Sequence, residues 1–308
     1  MLSVRPELPV VDITVAIACY DQGRFLAQAI QSALRQTIPP RAIIVVDDGS
    51  NDDTCEVANR FPQVRYVFQE NAGLSTARNT GLAHSQSSHI LFLDADDWLV
   101  PEALQLMSDA IRSTTPRPAF VHGGYLEVAE DGTPLATHFA QPSGEAFRSL
   151  LRGNHIAMHG TVLYDAALLR GAGGFDPRLG SCEDYDVYLR LARLHPIASY
   201  AGVSAHYRRH GSSLSRNRLT MIETALSVID RHLAISEKTH EDIAAAREGR
   251  RAMIAYYVHQ IAADVHVGAS RWRACRAVLA DVSRRPKLAF QLASWAIGRW
   301  TRAVTTTG

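Results

Sequence analysis

Three times in the first hundred residues a continuous apolar run stops abruptly at acidic residues, and this pattern limits the fold more than any other feature. The runs are "VDITVAIAC" (11–19), "AIIVVDD" (42–48) and "HILFLDAD" (89–96), with a fourth, "VRYVF" (64–68), before the last. Between them lie stretches with helical spacing: "FLAQAIQSALRQ" (25–36), "DDTCEVANRF" (52–61) and "LSTARNTGLAH" (74–84). Strand alternating with helix at this spacing predicts an α/β unit built on a mainly parallel sheet flanked by helices. Continuous rather than alternating runs fit strands covered on both faces. In such sheets ligands bind beyond the carboxyl ends of the strands. Tyr20–Asp21, Asp47–Asp48 and Asp94–Asp96 therefore fall at one candidate edge.

Asp94, Asp96 and Asp97 follow a buried-looking strand within four positions. That much negative charge is costly there unless something positive offsets it. One carboxylate of the three could cap the helix that follows Pro101. Three exceed what a cap needs, and oxygen ligands for a divalent cation are the functional reading. "VVDDGSNDDT" (45–54) reads as a strand-to-helix turn, with Gly49 at the bend and Ser50 or Asp52 capping. Asp47 and Asp48 precede that turn, so at least one is free to accept from a base N–H or a ribose hydroxyl. In "ENAGLSTARNTGL" (70–82) a helix follows a glycine turn, and Arg78 on it has the shape to meet phosphate oxygens or a base.

Further along, "PEALQLMSDAIRS" opens a helix at Pro101, and Asp131-Gly132 signals a hairpin. "GEAFRSLLRG" and "DAALLRGAGGFD" read as short helices. "CEDYDVYLRLARLH" (182–195) reads as a helix with its acids in the first turn, where they suit the dipole. "HYRRHGSSLS" (206–215) reads as a basic, hydroxyl-rich loop, solvent-facing or fitted to a diphosphate. From about Asn217 the chain is helical in character, with breaks near Gly268 and Pro286. The expected division is residues 1–216 as an α/β unit that carries the candidate site and 217–308 as a helical C-terminal region.

Bulk properties exclude other classes. The 308 residues are 46% apolar and 20% charged with a formal net charge of +1, which is ordinary globular composition without the basic bias of a nucleic-acid binder. Cys19, Cys55, Cys182 and Cys275 form no CxxC pair, against a structural zinc site or a disulfide scaffold. The expectation is a reducing, cytoplasmic setting. The N-terminus has no apolar core of signal-peptide length, and "LAFQLASWAIG" (288–298) is too short to span a bilayer.

Taken in order, "VAIACYDQGRFLAQAIQSALRQT", "IIVVDDGSNDDT", "ENAGLSTARNTGL", "ILFLDADDW", "EDYDVYLRL" and "YRRHGSSLS" resemble the family 2 glycosyltransferases with the GT-A fold, over roughly residues 11–216. The resemblance implies an inverting transfer from a nucleotide-diphosphate sugar, with UDP the expected nucleotide, to an acceptor hydroxyl of a carbohydrate or lipid-linked glycan. It implies a divalent metal, Mn²⁺ or Mg²⁺. It places Ala18, Tyr20, Asp47, Asp48 and Arg78 with the nucleotide, Asp48 being the nucleoside contact. Asp94 and Asp96 fill the DxD motif, Asp96 as metal ligand and Asp94 as sugar or ribose contact. Glu183 and Asp184 fill the ED motif, with Asp184 as general base. His210, or its neighbour His206, corresponds to a C-terminal metal-binding histidine. Ala18, Cys19 and Asp21 depart from the family's usual Thr or Pro before a Ser/Thr-Tyr-Asn run.

Two other functions compete. A sugar nucleotidyltransferase would show a Gly-rich, Lys-containing loop after the first strand, and "ACYDQGRF" has one glycine and no lysine. A non-catalytic sugar or nucleotide-binding module would lack the carboxylates, and Asp48, Asp94, Asp96 and Asp184 are all present. The tail 270–302 interleaves Arg and Lys with Trp272, Trp295 and Trp300. It reads either as helices packed on the catalytic unit or a second subunit in a homodimer, or as a peripheral contact with the inner face of an anionic membrane.

Overall fold

The computed structural model describes residues 11–139, 145–211, 217–235, 238–267, 282, 285–290 and 292. Its first half follows the sequence pattern to within two residues at each boundary. β1 (Ile13–Cys19), α1 (Gly23–Leu34), β2 (Ala42–Asp47), α2 (Thr54–Asn59), β3 (Val64–Phe68), α3 (Leu74–His84) and β4 (His89–Asp94) alternate along the chain. β1 pairs in parallel with both β2 and β4, and β2 with β3. The continuous apolar runs are explained by two coverings. Leu26, Ala29, Ile30 and Ala33 of α1 recur every three to four residues, the stripe of an amphipathic helix, and are buried in the main core with Val15, Ile17 and Val45. On the other face α3 lies close to the sheet, and a Cβ added at Gly81 would come within 2.9 Å of Ala16 Cβ.

Beyond β4 come β5 (Trp98–Leu99), α4 (Ala103–Ser113), β6 (Phe120–Ala129), β7 (Pro134–His138) and α5 (Ala146–Arg152). A single 3-10 turn at His159–Thr161 then leads to β8 (Val162–Asp165), α6 (Ala166–Gly171), α7 (Glu183–Leu194) and β9 (Ala198–Arg209). The sheet runs β3-β2-β1-β4-β8-β6-β9-β5, with β7 joined to β6. It is parallel in its first half and mixed in its second, where β8 is antiparallel to β4 and β6 while β9 is parallel to β6. The Asp131-Gly132 hairpin joins β6 to β7, with Gly132 at φ +90. Asp165 caps α6, its side chain accepting from Ala167 N and Leu168 N.

Two details differ from the sequence reading. The segment 206–209, expected in a loop, completes β9, because its backbone pairs with β6 throughout and with β5 at His206. The C-terminal helices α8 (Arg218–Leu233) and α9 (His240–Val267) are separate elements, a break the sequence reading does not place, while the expected break at Gly268 lies outside the described residues. The chain divides into two compact units, residues 1–147 with 154–211, and residues 148–153 with 212–308. This boundary falls five residues before the expected one, at 211/212 instead of 216/217. Residues 148–153 join the second unit because Arg148 Nε donates to Asp242 Oδ1 at 2.9 Å, and Leu151 O lies against Gly249. In the second unit Leu219, Ile222 and Leu226 of α8 pack with Ile254 and Leu288. Among the described residues no helix is long and apolar enough to cross a membrane. Most of the tail 270–302 lies outside the described residues.

Candidate active site

Register places the acids. Ala18 of β1 pairs with Val46 on one side and Asp94 on the other, and Cys19 pairs with Asp47. The acidic ends of β2 and β4 therefore flank the end of β1, where Tyr20 is exposed. The turn beyond is fixed by hydrogen bonds from Asp21 N to Ser50 Oγ (3.0 Å) and from Asn51 N to Asp21 Oδ1 (2.7 Å). Asp52 does the capping expected of it: it accepts from Thr54 N at 3.0 Å, and also from Gly23 N at 2.8 Å, so the starts of α1 and α2 share one carboxylate. Gly49 at φ +81 makes the bend.

Asp47 and Asp48 are both buried. Asp47 accepts from Ser50 N at 2.8 Å and from the Tyr66 hydroxyl at 2.6 Å. Asp48 accepts from Gln69 Nε2 (2.6 Å), Ala72 N (2.9 Å) and Gly73 N (2.9 Å), which ties the end of β2 to the entrance of α3. A carboxylate offers about four acceptor positions, so Asp48 retains about one for a ligand. Tyr66 and Gln69 were not singled out in the sequence, and nothing local marks them.

The counter-charge for the acidic strand end is supplied first by the protein. Arg78 on α3 is 3% exposed and donates through Nη2 to Asp94 Oδ1 at 2.8 Å and through Nη1 to Glu183 Oε1. Arg78 is expected to meet a phosphate or base; each terminal nitrogen directs one N–H to a carboxylate, and Nε has no partner among the described residues. Burial opposes the guanidinium charge, but Asp94, Glu183 and Asp184 more than restore it. Arg78, 105 residues before Glu183, thereby links the DxD strand to the ED helix.

Asp96 is paired with a histidine. Its Oδ2 is 2.7 Å from Nε2 of His210, whose side chain is fully enclosed. Burial, then the neighbouring Asp94, push the Asp96 carboxyl above its ordinary range, with His210 opposing. Of the two histidines weighed, His210 is the partner of Asp96, while His206 stacks on Trp98 with ring centroids 4.6 Å apart. Asp97 is fully buried, accepts from Arg208 N at 2.9 Å and is pushed well up by burial and then by Asp96. Neither Asp96 nor Asp97 caps α4, whose first residue is Ala103. Among the described residues no three His, Cys, Asp or Glu side chains converge as a ready metal cage. Asp96 and His210 still offer one carboxylate and one imidazole, a donor pair that suits a cation completed by phosphate oxygens and water.

α7 divides its three acids. Cys182 at φ +56 turns the chain into the helix. Glu183 holds Arg78. Asp186 is buried and accepts from Arg190 Nε at 2.8 Å, while that guanidinium also donates to Ala172 O and Gly174 O. Among the described residues Asp184 has no salt-bridge partner of its own. Its Oδ1 accepts from Tyr185 N at 2.7 Å, and part of its surface stays open. Burial, then Glu183, raise its carboxyl to about 7, with Arg78 pulling the other way. A carboxylate poised near neutrality is fitted to accept a proton.

Comparison with known proteins bears on the family and the fold. The chain is 27% identical over 213 residues to the chondroitin synthase of Escherichia coli, an alignment covering 67% of this chain and 30% of that protein. It is 25% identical to the hyaluronan synthase of Pasteurella multocida, covering 67% of this chain and 21% of that one. The chain thus spans less than a third of the length of these relatives. In structure it matches Staphylococcus aureus TarS with a TM-score of 0.63 at 17% identity, over 80% of this chain and 44% of that one. It matches the mannosyltransferase PcManGT of Pyrobaculum calidifontis, in complex with GDP-Man and Mn²⁺, with a TM-score of 0.58 at 16% identity, over 92% and 84%. These two structural matches show the fold. The family model "Glycosyl transferase family 2" covers residues 14–170, just over half of the sequence, and the chain belongs to that family of glycosyltransferases.

Proposed function

We propose that the chain transfers a sugar, with inversion, from a nucleotide-diphosphate sugar to an acceptor hydroxyl, assisted by Mn²⁺ or Mg²⁺, during polysaccharide or glycoconjugate synthesis. The observation that carries this reading is the Arg78 bridge, which joins Asp94 of the strand end to Glu183 beside Asp184. It supports reading Asp94 as part of the donor subsite and Asp184 as the base beside it. Relatives named as chondroitin and hyaluronan synthases support a polysaccharide product. A TarS structure in complex with UDP-GlcNAc, matched at a TM-score of 0.58, supports a UDP-sugar donor.

In this reading Tyr20, Asp47 and Asp48 line the nucleoside end, with Ala18 at the floor of the strand edge. Asp96 and His210 hold the metal. When bound, the cation takes up charge developing on the departing diphosphate. Asp94, held by Arg78, faces the sugar or ribose. Asp184 removes the acceptor's hydroxyl proton as that oxygen attacks the anomeric carbon. A base on one side and a leaving group on the other give inversion in a single displacement.

The test is incubation of UDP-, GDP- and dTDP-sugars with Mn²⁺, first without acceptor. Slow release of a nucleoside diphosphate is expected, and Asp96→Ala should abolish it. Release of pyrophosphate, or binding without turnover, contradicts the proposal. The anomeric configuration of the transferred sugar, read by NMR, decides inversion.

A further inference from the structure

Arg208 is a basic residue in the segment first read as a diphosphate loop, yet it is only 5% exposed. Its guanidinium donates through Nε to Asp96 O (2.9 Å), through Nη1 to Glu130 O (2.6 Å) and through Nη2 to Gln28 Oε1 (2.5 Å). All three acceptors are neutral. Its plane lies 4.7 Å from the Phe25 ring centre and 4.6 Å from that of Trp98. The Phe25 ring in turn sits 5.2 Å from the ring of His210. The backbone completes a reciprocal pair: Arg208 N donates to the Asp97 side chain while the Arg208 side chain donates to the Asp96 carbonyl. One residue thus fastens the acidic turn after β4 to β9, to α1 and to the β6–β7 hairpin.

Burying a guanidinium is expensive in solvation; the nearby Asp97, Asp96 and Glu130 carboxylates offset part of that cost, although none of them accepts a hydrogen bond from the guanidinium. Geometry explains the choice of arginine. A planar fork with fixed donor directions reaches three segments at once while stacking on two rings, and lysine can do neither. The segments it fastens carry Asp96 and, two residues after Arg208 itself, His210.

We propose that Arg208 is the positioning residue that holds Asp96 beside His210, and that the chain's affinity for Mn²⁺ depends on it. This inference rests on the reading of Asp96 and His210 as the metal pair. Residues that orient metal ligands without touching the metal are worth about 10–100-fold in affinity. Loss of Arg208 frees the Asp96 carbonyl and removes one cover of the His210–Phe25 contact, so both ligands gain freedom that binding must then remove.

The experiment is titration of the full chain with Mn²⁺, followed by electron paramagnetic resonance or calorimetry, with and without UDP. The variants are Arg208→Lys, Arg208→Gln and Asp96→Asn. Asp96→Asn should remove Mn²⁺ binding. The two Arg208 variants should weaken Mn²⁺ binding about 10–100-fold, while UDP affinity measured in EDTA changes little. A generally loosened fold would weaken both ligands together and lower the unfolding temperature in proportion. If the Arg208 variants do not fold, Gln28→Ala removes one acceptor from the exposed side of α1 and should still weaken Mn²⁺ binding measurably. Wild-type affinity in folded Arg208 variants, or in Gln28→Ala where those fail, overturns the proposal alone. Absence of Mn²⁺ binding in the wild type, or its survival in Asp96→Asn, overturns the metal reading and this inference with it.

Discussion

Asp184 and Asp186 stand two positions apart on one helix and are fitted for opposite duties. Asp186 is locked to Arg190, whereas Asp184 has an open edge and a carboxyl raised to about 7, chiefly by burial and then by Glu183. Only the deprotonated form can take the acceptor's proton. Transfer should therefore rise with pH through about 7 and level off above it. The linked effect on stability has the opposite sense. The folded pKa exceeds the unfolded value, so the contribution of this group to stability is complete below about 4 and is lost as pH rises through about 7. Asp184→Asn should lose about 10²–10⁴-fold in turnover, keep nucleotide-sugar affinity and lack the inflection. Transfer by that variant at more than about a tenth of the wild-type rate would move the base elsewhere, with Glu183 next in line. The pattern "CEDYDVYLRL" made the ED pair legible as a motif. It could not show which acid lacked a cation, because the partners Arg78 and Arg190 are assigned only by the folded chain.

At the scale of elements, the Arg78 bridge makes α3, β4 and α7 one unit. Arg78→Met keeps the side-chain length and removes the charge, leaving Glu183 buried against Asp94 without a cation. Breaking a buried ion pair costs about 3–5 kcal/mol. The lower end applies here because the Asp94 side chain is 34% exposed and water screens part of the repulsion. Urea denaturation should show that loss, and Glu183→Gln added to Arg78→Met should recover part of it. A single variant as stable as wild type would mean that the bridge does not join these elements. α1 was legible from its apolar stripe, and β2 and β4 from continuous apolar runs that end in acids. β9 was not: "AHYRRH" reads as basic and polar, and its strand character comes from β5 and β6, which precede it by scores of residues. The same blindness hid Arg208, which the sequence does not distinguish from the partly exposed Arg209 beside it.

Across the whole molecule, what the sequence revealed was order along the chain, and what it left out was closure between distant parts. The parallel first half of the sheet and the acidic edge were readable in residues 11–100, and the family resemblance in motifs spread over residues 11–216. The mixed second half of the sheet was not, since β8, β6 and β9 join by pairings that no local period encodes. The candidate site draws on both halves: Asp48 and Asp94 come from the first, His210 and Asp184 from the second. A ligand that needs residues from both halves should stabilise the native state by mass action. At 100 times its dissociation constant such a ligand adds about 2.7 kcal/mol, enough to move the unfolding temperature by several degrees. A nucleoside diphosphate with Mn²⁺ should give that shift. EDTA should shrink it, because Asp96 and His210 then have no cation to share with the phosphates. Asp96→Ala should respond to the nucleotide alike with or without Mn²⁺. A wild-type shift that EDTA leaves untouched would separate nucleotide binding from the metal, and would confine the donor to the edge formed by Tyr20, Asp47 and Asp48.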